Sequence, residues 1–128
     1  MNKLSSKDLA DLVVDALDDL KGQSIKVINV EELTAITDYM VIVTGTSSTH
    51  IAALSDNVSK KAKESGVTVS GVEGQMQREW VLVDLGGVVV HIMLAPVRAL
   101  YNLEELWSFK LSQAGQAAAD SGASDDAQ

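Results

Sequence analysis

The stretch EWVLVDLGGVVVHIM, residues 79–93, constrains the fold more than any other part of the chain. Two β-branched runs meet at Gly86-Gly87, and paired glycines between such runs predict a two-residue hairpin, because both can take positive φ without strain. Leu85 then pairs with Val88, and the register propagates outward. One face carries Val81, Val83, Leu85, Val88, Val90 and Ile92, wholly apolar and therefore core. The other sets Trp80 opposite Met93, Leu82 opposite His91 and Asp84 opposite Val89. Three residues that interrupt an apolar run thus share one side of a sheet.

The flanking segments supply the remaining layers. Leu9, Leu12, Val13, Ala16, Leu17 and Leu20 recur at helical spacing, with Ser5 or Ser6 as N-cap and Gly22 as the expected left-handed stop. Asp8, Asp11, Asp15 and Asp18 fall mainly on the opposite side and read as a solvated face. Ile25 to Val30 reads as a strand, Glu31 to Thr37 as a polar connection, and Tyr39 to Thr44 as a second strand. The unbroken apolar run of that second strand predicts burial on both faces.

A second helix follows Gly45-Thr46-Ser47-Ser48. Its buried stripe is Ile51, Leu54, Val58 and Ala62, Lys60, Lys61 and Lys63 lie in its last turns, and Gly66 ends it. Val67 to Val69 reads as a short strand, and Gly71-Val72-Glu73-Gly74 as the start of a loop reaching Arg78. Pro96 suits the first turn of a further helix, with Leu100, Leu103, Leu106 and Trp107 on its apolar side. Helices interleaved with about five strands, two of them in a hairpin, imply an α/β layered domain with a mixed sheet. It is expected over residues 1–108, with 109–128 a polar tail of disordered composition.

Composition excludes several chemistries. The chain has 128 residues, 46% of them hydrophobic, enough for one domain with a modest core. It has no cysteine and two histidines, which removes disulfides, thiolate metal sites, a cysteine nucleophile and a histidine-rich metal cluster. No segment reads as a signal, transit peptide or membrane span, so a cytoplasmic location is the expectation. The net charge of −8 disfavours extensive contact with nucleic acid and favours encounter with a basic protein.

Three readings of the Trp80, Asp84 and His91 face stay open on the residues alone. It is a covered face with satisfied polar groups, an acid–base pair of Asp84 and His91, or an interface with an apolar anchor and a charged rim. The turn at Gly45 to Ser48 could hold a phosphate on helix N–H groups, and equally consists of ordinary N-cap residues. A glycine-serine turn of this sort occurs in nucleotidyltransferases. Those also need paired carboxylates on a nearby strand, whereas this hairpin offers Asp84 with Leu82 two residues earlier.

Taken in order, Ile36-Thr37-Asp38, Thr44-Gly45-Thr46-Ser47-Ser48, Gly71-Val72-Glu73-Gly74, Trp80, Val83-Asp84-Leu85-Gly86, His91, Leu100-Tyr101, Leu103-Glu104 and Leu106-Trp107 resemble the ribosomal silencing factor family, also called RsfS or Iojap-like proteins. The resemblance implies a nucleotidyltransferase-like fold without catalytic carboxylates, no enzymatic activity, and no metal or cofactor. It implies a homodimer that binds ribosomal protein number fourteen of the large subunit and sterically blocks subunit joining, repressing translation. Carried onto matching positions, the partner-binding residues are Trp80, Asp84, Leu85 and Gly86. The alternative is a nucleotide-binding or nucleotidyltransferase-like enzyme using the Gly45 to Ser48 turn.

Overall fold

A computed structural model describes residues 4–101. The elements run α1 (Ser6–Asp19), β1 (Gln23–Asn29), β2 (Tyr39–Gly45), α2 (Ser48–Glu64), β3 (Gly71–Glu73), β4 (Trp80–Asp84), β5 (Val88–Leu94) and α3 (Ala95–Tyr101). The five strands form one mixed sheet in the order β1-β2-β5-β4-β3, with β2 and β5 parallel and the other pairs antiparallel. Leu103, Leu106, Trp107 and the segment 109–128, for which the sequence predicts a helix side and a tail, lie outside the described residues.

The hairpin register is the expected one: Trp80 pairs with Met93, Leu82 with His91 and Asp84 with Val89. The Leu85 N–H donates to the Val88 carbonyl at 2.9 Å, closing the turn. Of the two turn glycines Gly86 alone takes positive φ, at 86°, the pattern of a type II′ turn. Gly87 serves packing instead, since a Cβ there would collide with the Ser6 hydroxyl at the start of α1. Its carbonyl also accepts the Asp38 and Tyr39 N–H groups, at 3.0 and 3.1 Å, while the Ser6 hydroxyl donates to the Asp38 carboxylate. The hairpin tip, the entry to β2 and the head of α1 are thereby tied together.

Helices α1 and α2 cover one face of the sheet. Val41, Val43, Val81, Val83, Leu85, Val88, Val90 and Ile92 meet Leu9, Val13, Leu17, Ile51, Leu54 and Val58 there, all buried. Val81, Val83, Leu85, Val88, Val90 and Ile92 are the six residues predicted for the core face of the hairpin. Met40 to Gly45 of β2 are all buried, in line with a strand covered on both sides. Its second face carries a smaller cluster of Ile28, Val30, Met40, Ile42 and Met93, with Trp80 and Val97 packed against it.

Both long helices end on a left-handed residue with two bonds running back to last-turn carbonyls. In α2 that residue is Gly66 at φ 83°; Gly66 N–H donates to Lys63 at 3.0 Å and Val67 N–H to Ala62 at 2.9 Å. In α1 it is Lys21 at φ 63°, one position earlier than the expected Gly22, with Lys21 N–H on Asp18 and Gly22 N–H on Leu17. Gly22 is required for closeness, because a Cβ would lie 2.7 Å from a Val43 methyl. The strand predicted over Val67 to Val69 is corrected to Gly71–Glu73. Val67 is consumed in stopping α2, so Val67 and Val69 pack on the core without joining the ladder.

Candidate functional site

The sheet face turned away from α1 and α2 can be read in rows across the strands, because directly paired residues point to the same side. One row is Trp80, Met93 and Thr44; the next is Glu73, Leu82, His91, Ile42 and Lys26; the third is Gly71, Asp84, Val89, Met40 and Ile28. Burial divides this face. Met40, Ile42, Ile28, His91 and Met93 are buried, whereas Trp80, Leu82, Asp84 and Val89 are half-buried, and Glu73 and Lys26 at the two edges are exposed. The open half therefore follows β4 and the outer edge strand β3. Trp80, Leu82 and Asp84 form a strip about 14 Å long along β4, at roughly 3.4 Å per residue.

The covered half has its own supports. Val97 of α3 packs on the smaller cluster, and the Arg98 guanidinium donates to the Thr44 hydroxyl at 2.8 Å. The Leu94 N–H reaches the Glu79 carbonyl at 3.0 Å, closing the sheet beside Trp80. Gly74, at φ 87°, leaves no room for a Cβ against the Trp80 carbonyl. Gly74 thus lets the chain after β3 approach the Trp80 backbone closely.

Trp80 and His91 are diagonal neighbours across the β4–β5 pair. The indole Nε1–H donates to His91 Nδ1 at 2.9 Å, with ring centroids 5.8 Å apart and planes inclined at 51°. The twist of an antiparallel pair brings one diagonal together and separates the other, and here it joins Trp80 to His91. Asp84, on the other diagonal, instead accepts the Gly86 N–H on Oδ1 at 2.9 Å and stabilises the turn. An acid–base pair of Asp84 and His91 is not what the fold builds. Burial pushes the His91 imidazole down from its ordinary value of 6.5 to about 4, so it is neutral at pH 7. Because Nδ1 accepts, the proton resides on Nε2.

Of the four residues assigned to the partner surface, Trp80 and Asp84 sit on the open half of this face. Gly86 is exposed at the tip, with open space where a Cβ would be. The Leu85 side chain points to the helix side, where it is 5% exposed. Sequence reasoning missed Glu73 beside Leu82, because β3 was assigned to the wrong residues. It also missed the Trp80–His91 bond, which the predicted register already placed within reach.

The glycine-serine turn has a structural role. A Cβ at Gly45 would lie 2.6 Å from an Ile51 side-chain carbon, so glycine lets α2 approach the end of β2. The Ser47 hydroxyl accepts the His50 N–H at 3.1 Å as N-cap. The Thr46 N–H donates to His50 Nδ1 at 2.9 Å, and His50 Nε2–H donates to the Leu20 carbonyl at 2.7 Å, linking the turn to the end of α1. The N–H groups of Thr46, His50 and Ile51 are engaged within the fold. Among the described residues no three acidic, histidine or cysteine side chains cluster as a metal site, and no helix is long and apolar enough to cross a membrane.

Comparison with known proteins agrees with this architecture. A crystal structure of a protein from Chromobacterium violaceum superposes with a TM-score of 0.81 at 41% identity, covering 82% of this chain and 88% of that one. A ribosomal silencing factor RsfS of the same organism is 43% identical over 101 residues, 79% of this chain and 83% of that protein. The mouse protein named mitochondrial assembly of ribosomal large subunit protein 1 is 36% identical over 104 residues, 78% of this chain and 45% of its own length. The family model described as "Ribosomal silencing factor during starvation" matches residues 3–128. The chain belongs to the ribosomal silencing factor (RsfS) family.

Proposed function

We propose that this protein binds the large ribosomal subunit through the open strip along β4, contacting ribosomal protein number fourteen, and that its bulk there blocks joining of the small subunit. The observation that carries the reading is the make-up of that strip. Trp80 and Leu82 form an apolar centre, and Asp84 with Glu73 supplies a carboxylate rim, on a chain of net charge −8. An indole anchor desolvated by a partner is the kind of residue that dominates binding energy, and a carboxylate rim suits a basic protein and speeds encounter. The same charge disfavours bare ribosomal RNA.

Within this surface Trp80, Asp84 and Gly86 meet the partner. Leu85 acts from beneath, locking the hairpin tip to the helix layer. The mechanism is steric and calls for no bond making. Co-sedimentation of the purified protein with separated subunits tests the reading, followed by a subunit-joining assay. Binding to large subunits with loss of joined ribosomes is expected; equal or stronger binding to small subunits would overturn it.

A further inference from the structure

The indole ring has one polar atom, and at a docking surface its N–H ordinarily goes to the partner. In Trp80 it is already engaged from within. Its acceptor, His91 Nδ1, lies 2.9 Å away in the next strand, and the imidazole is only 7% exposed. His91 sits in its row between Leu82 on β4 and Ile42 on β2, the latter fully buried. An imidazole so placed cannot reach a partner itself. It can fix the orientation of a half-exposed side chain that also packs on the smaller cluster.

We infer that His91 is a positioning residue for the Trp80 surface, holding the indole with its N–H turned into the protein so that a partner meets the ring as an apolar and π surface. This rests on the reading of β4 as the ribosome-binding strip. Two consequences follow. The partner group opposite Trp80 is an aliphatic stem or a guanidinium plane, which need no donor from the indole, and not a carbonyl acceptor. The imidazole must also be neutral to do this, since a proton on Nδ1 would remove the acceptor.

Four variants test the inference: His91→Leu, which fills space without an acceptor; His91→Asn, whose Oδ1 can accept near the Nδ1 position; Trp80→Ala; and Trp80→Phe, which keeps a ring and has no donor. Affinity for purified large ribosomal subunits is measured alongside the indole ¹⁵N–¹H resonance of Trp80 and denaturant unfolding. His91→Leu is expected to shift that resonance and to weaken binding about fivefold, the scale of one neutral hydrogen bond, while remaining folded. His91→Asn should recover most of the affinity, and in the Trp80→Phe background His91→Leu should cost nothing further.

Unchanged affinity in His91→Leu, where Trp80→Ala binds poorly, would overturn the positioning role and leave the binding strip standing. Normal affinity in Trp80→Ala would overturn the strip and the positioning role together. An equal loss from His91→Leu in the wild-type and Trp80→Phe backgrounds would show that His91 acts without the indole bond, and would also overturn it.

Discussion

The Trp80 indole donates to His91 Nδ1 across the β4–β5 hairpin, and the bond requires the neutral, Nε2-protonated imidazole. A surface side chain and a buried titratable group are thereby coupled, so pH acts on both.

The first prediction concerns that coupling. Burial lowers the His91 value to about 4 in the folded protein, against 6.5 ordinarily. A depressed folded value means the unfolded chain binds the proton more readily. The contribution is fully present above pH 6.5 and is lost as pH falls toward 4, amounting to about 3 kcal/mol across the window. Carboxylates titrate over part of the same range, so the measurement is a difference. Unfolding free energy of wild type minus that of His91→Asn, followed from pH 7 to 4, should shrink as pH falls. A flat difference would show that His91 titrates normally.

The second concerns Trp80→Ala. The indole is half-buried on the smaller cluster and hydrogen-bonded, so truncation should cost stability as well as binding. A fully buried tryptophan loses roughly 3 to 5 kcal/mol on truncation, and half of that, about 2 kcal/mol, is expected here. Loss of an anchor should weaken binding to large subunits by about 2 kcal/mol or more. Denaturant unfolding and sedimentation affinity check the two numbers. A destabilised variant whose folded fraction binds normally would assign Trp80 to the core alone.

The third follows from the end of α1. Lys21 takes a left-handed conformation that costs a residue with a Cβ about 1 kcal/mol, so Lys21→Gly should raise stability by up to that amount. Gly22→Ala should do the reverse, because its Cβ would press on the Val43 methyl. Thermal unfolding of the two variants reads both signs. A stabilising Gly22→Ala would contradict the packing described.

Much of this could be read from the sequence because the hairpin is self-specifying. Two glycines between β-branched runs fix the register, and the register alone put Trp80, Asp84 and His91 on one face and the valines on the other. What escaped depends on contacts between distant segments. Lys21 rather than Gly22 ends α1, because Gly22 is committed to closeness with Val43 on another element. Val67 to Val69 has strand composition, yet Val67 is taken by the end of α2 and β3 forms later, opposite β4. The family likeness counted Leu85 among the partner-binding residues, while alternation along the strand put its side chain on the core face, where it lies.

The last prediction separates charge from turn geometry at Asp84. Its Oδ1 accepts the Gly86 N–H at 2.9 Å, so replacing the residue by alanine removes a charge and a turn contact at once. Asp84→Asn keeps an acceptor for Gly86 and removes only the charge. If the carboxylate faces a basic partner, Asp84→Asn should leave unfolding within about 0.5 kcal/mol of wild type, as expected of a partly exposed change that breaks nothing. It should slow association with large subunits and flatten the dependence of that rate on salt, because a charge at the rim of an interface acts mainly on encounter. Asp84→Ala should show the same kinetic change together with a loss of about 1 kcal/mol of stability from the turn. Stopped-flow association at two ionic strengths, beside denaturant unfolding, distinguishes the outcomes. An Asp84→Asn protein with an unchanged association rate and unchanged salt dependence would remove Asp84 from the partner surface and leave it a residue of the turn.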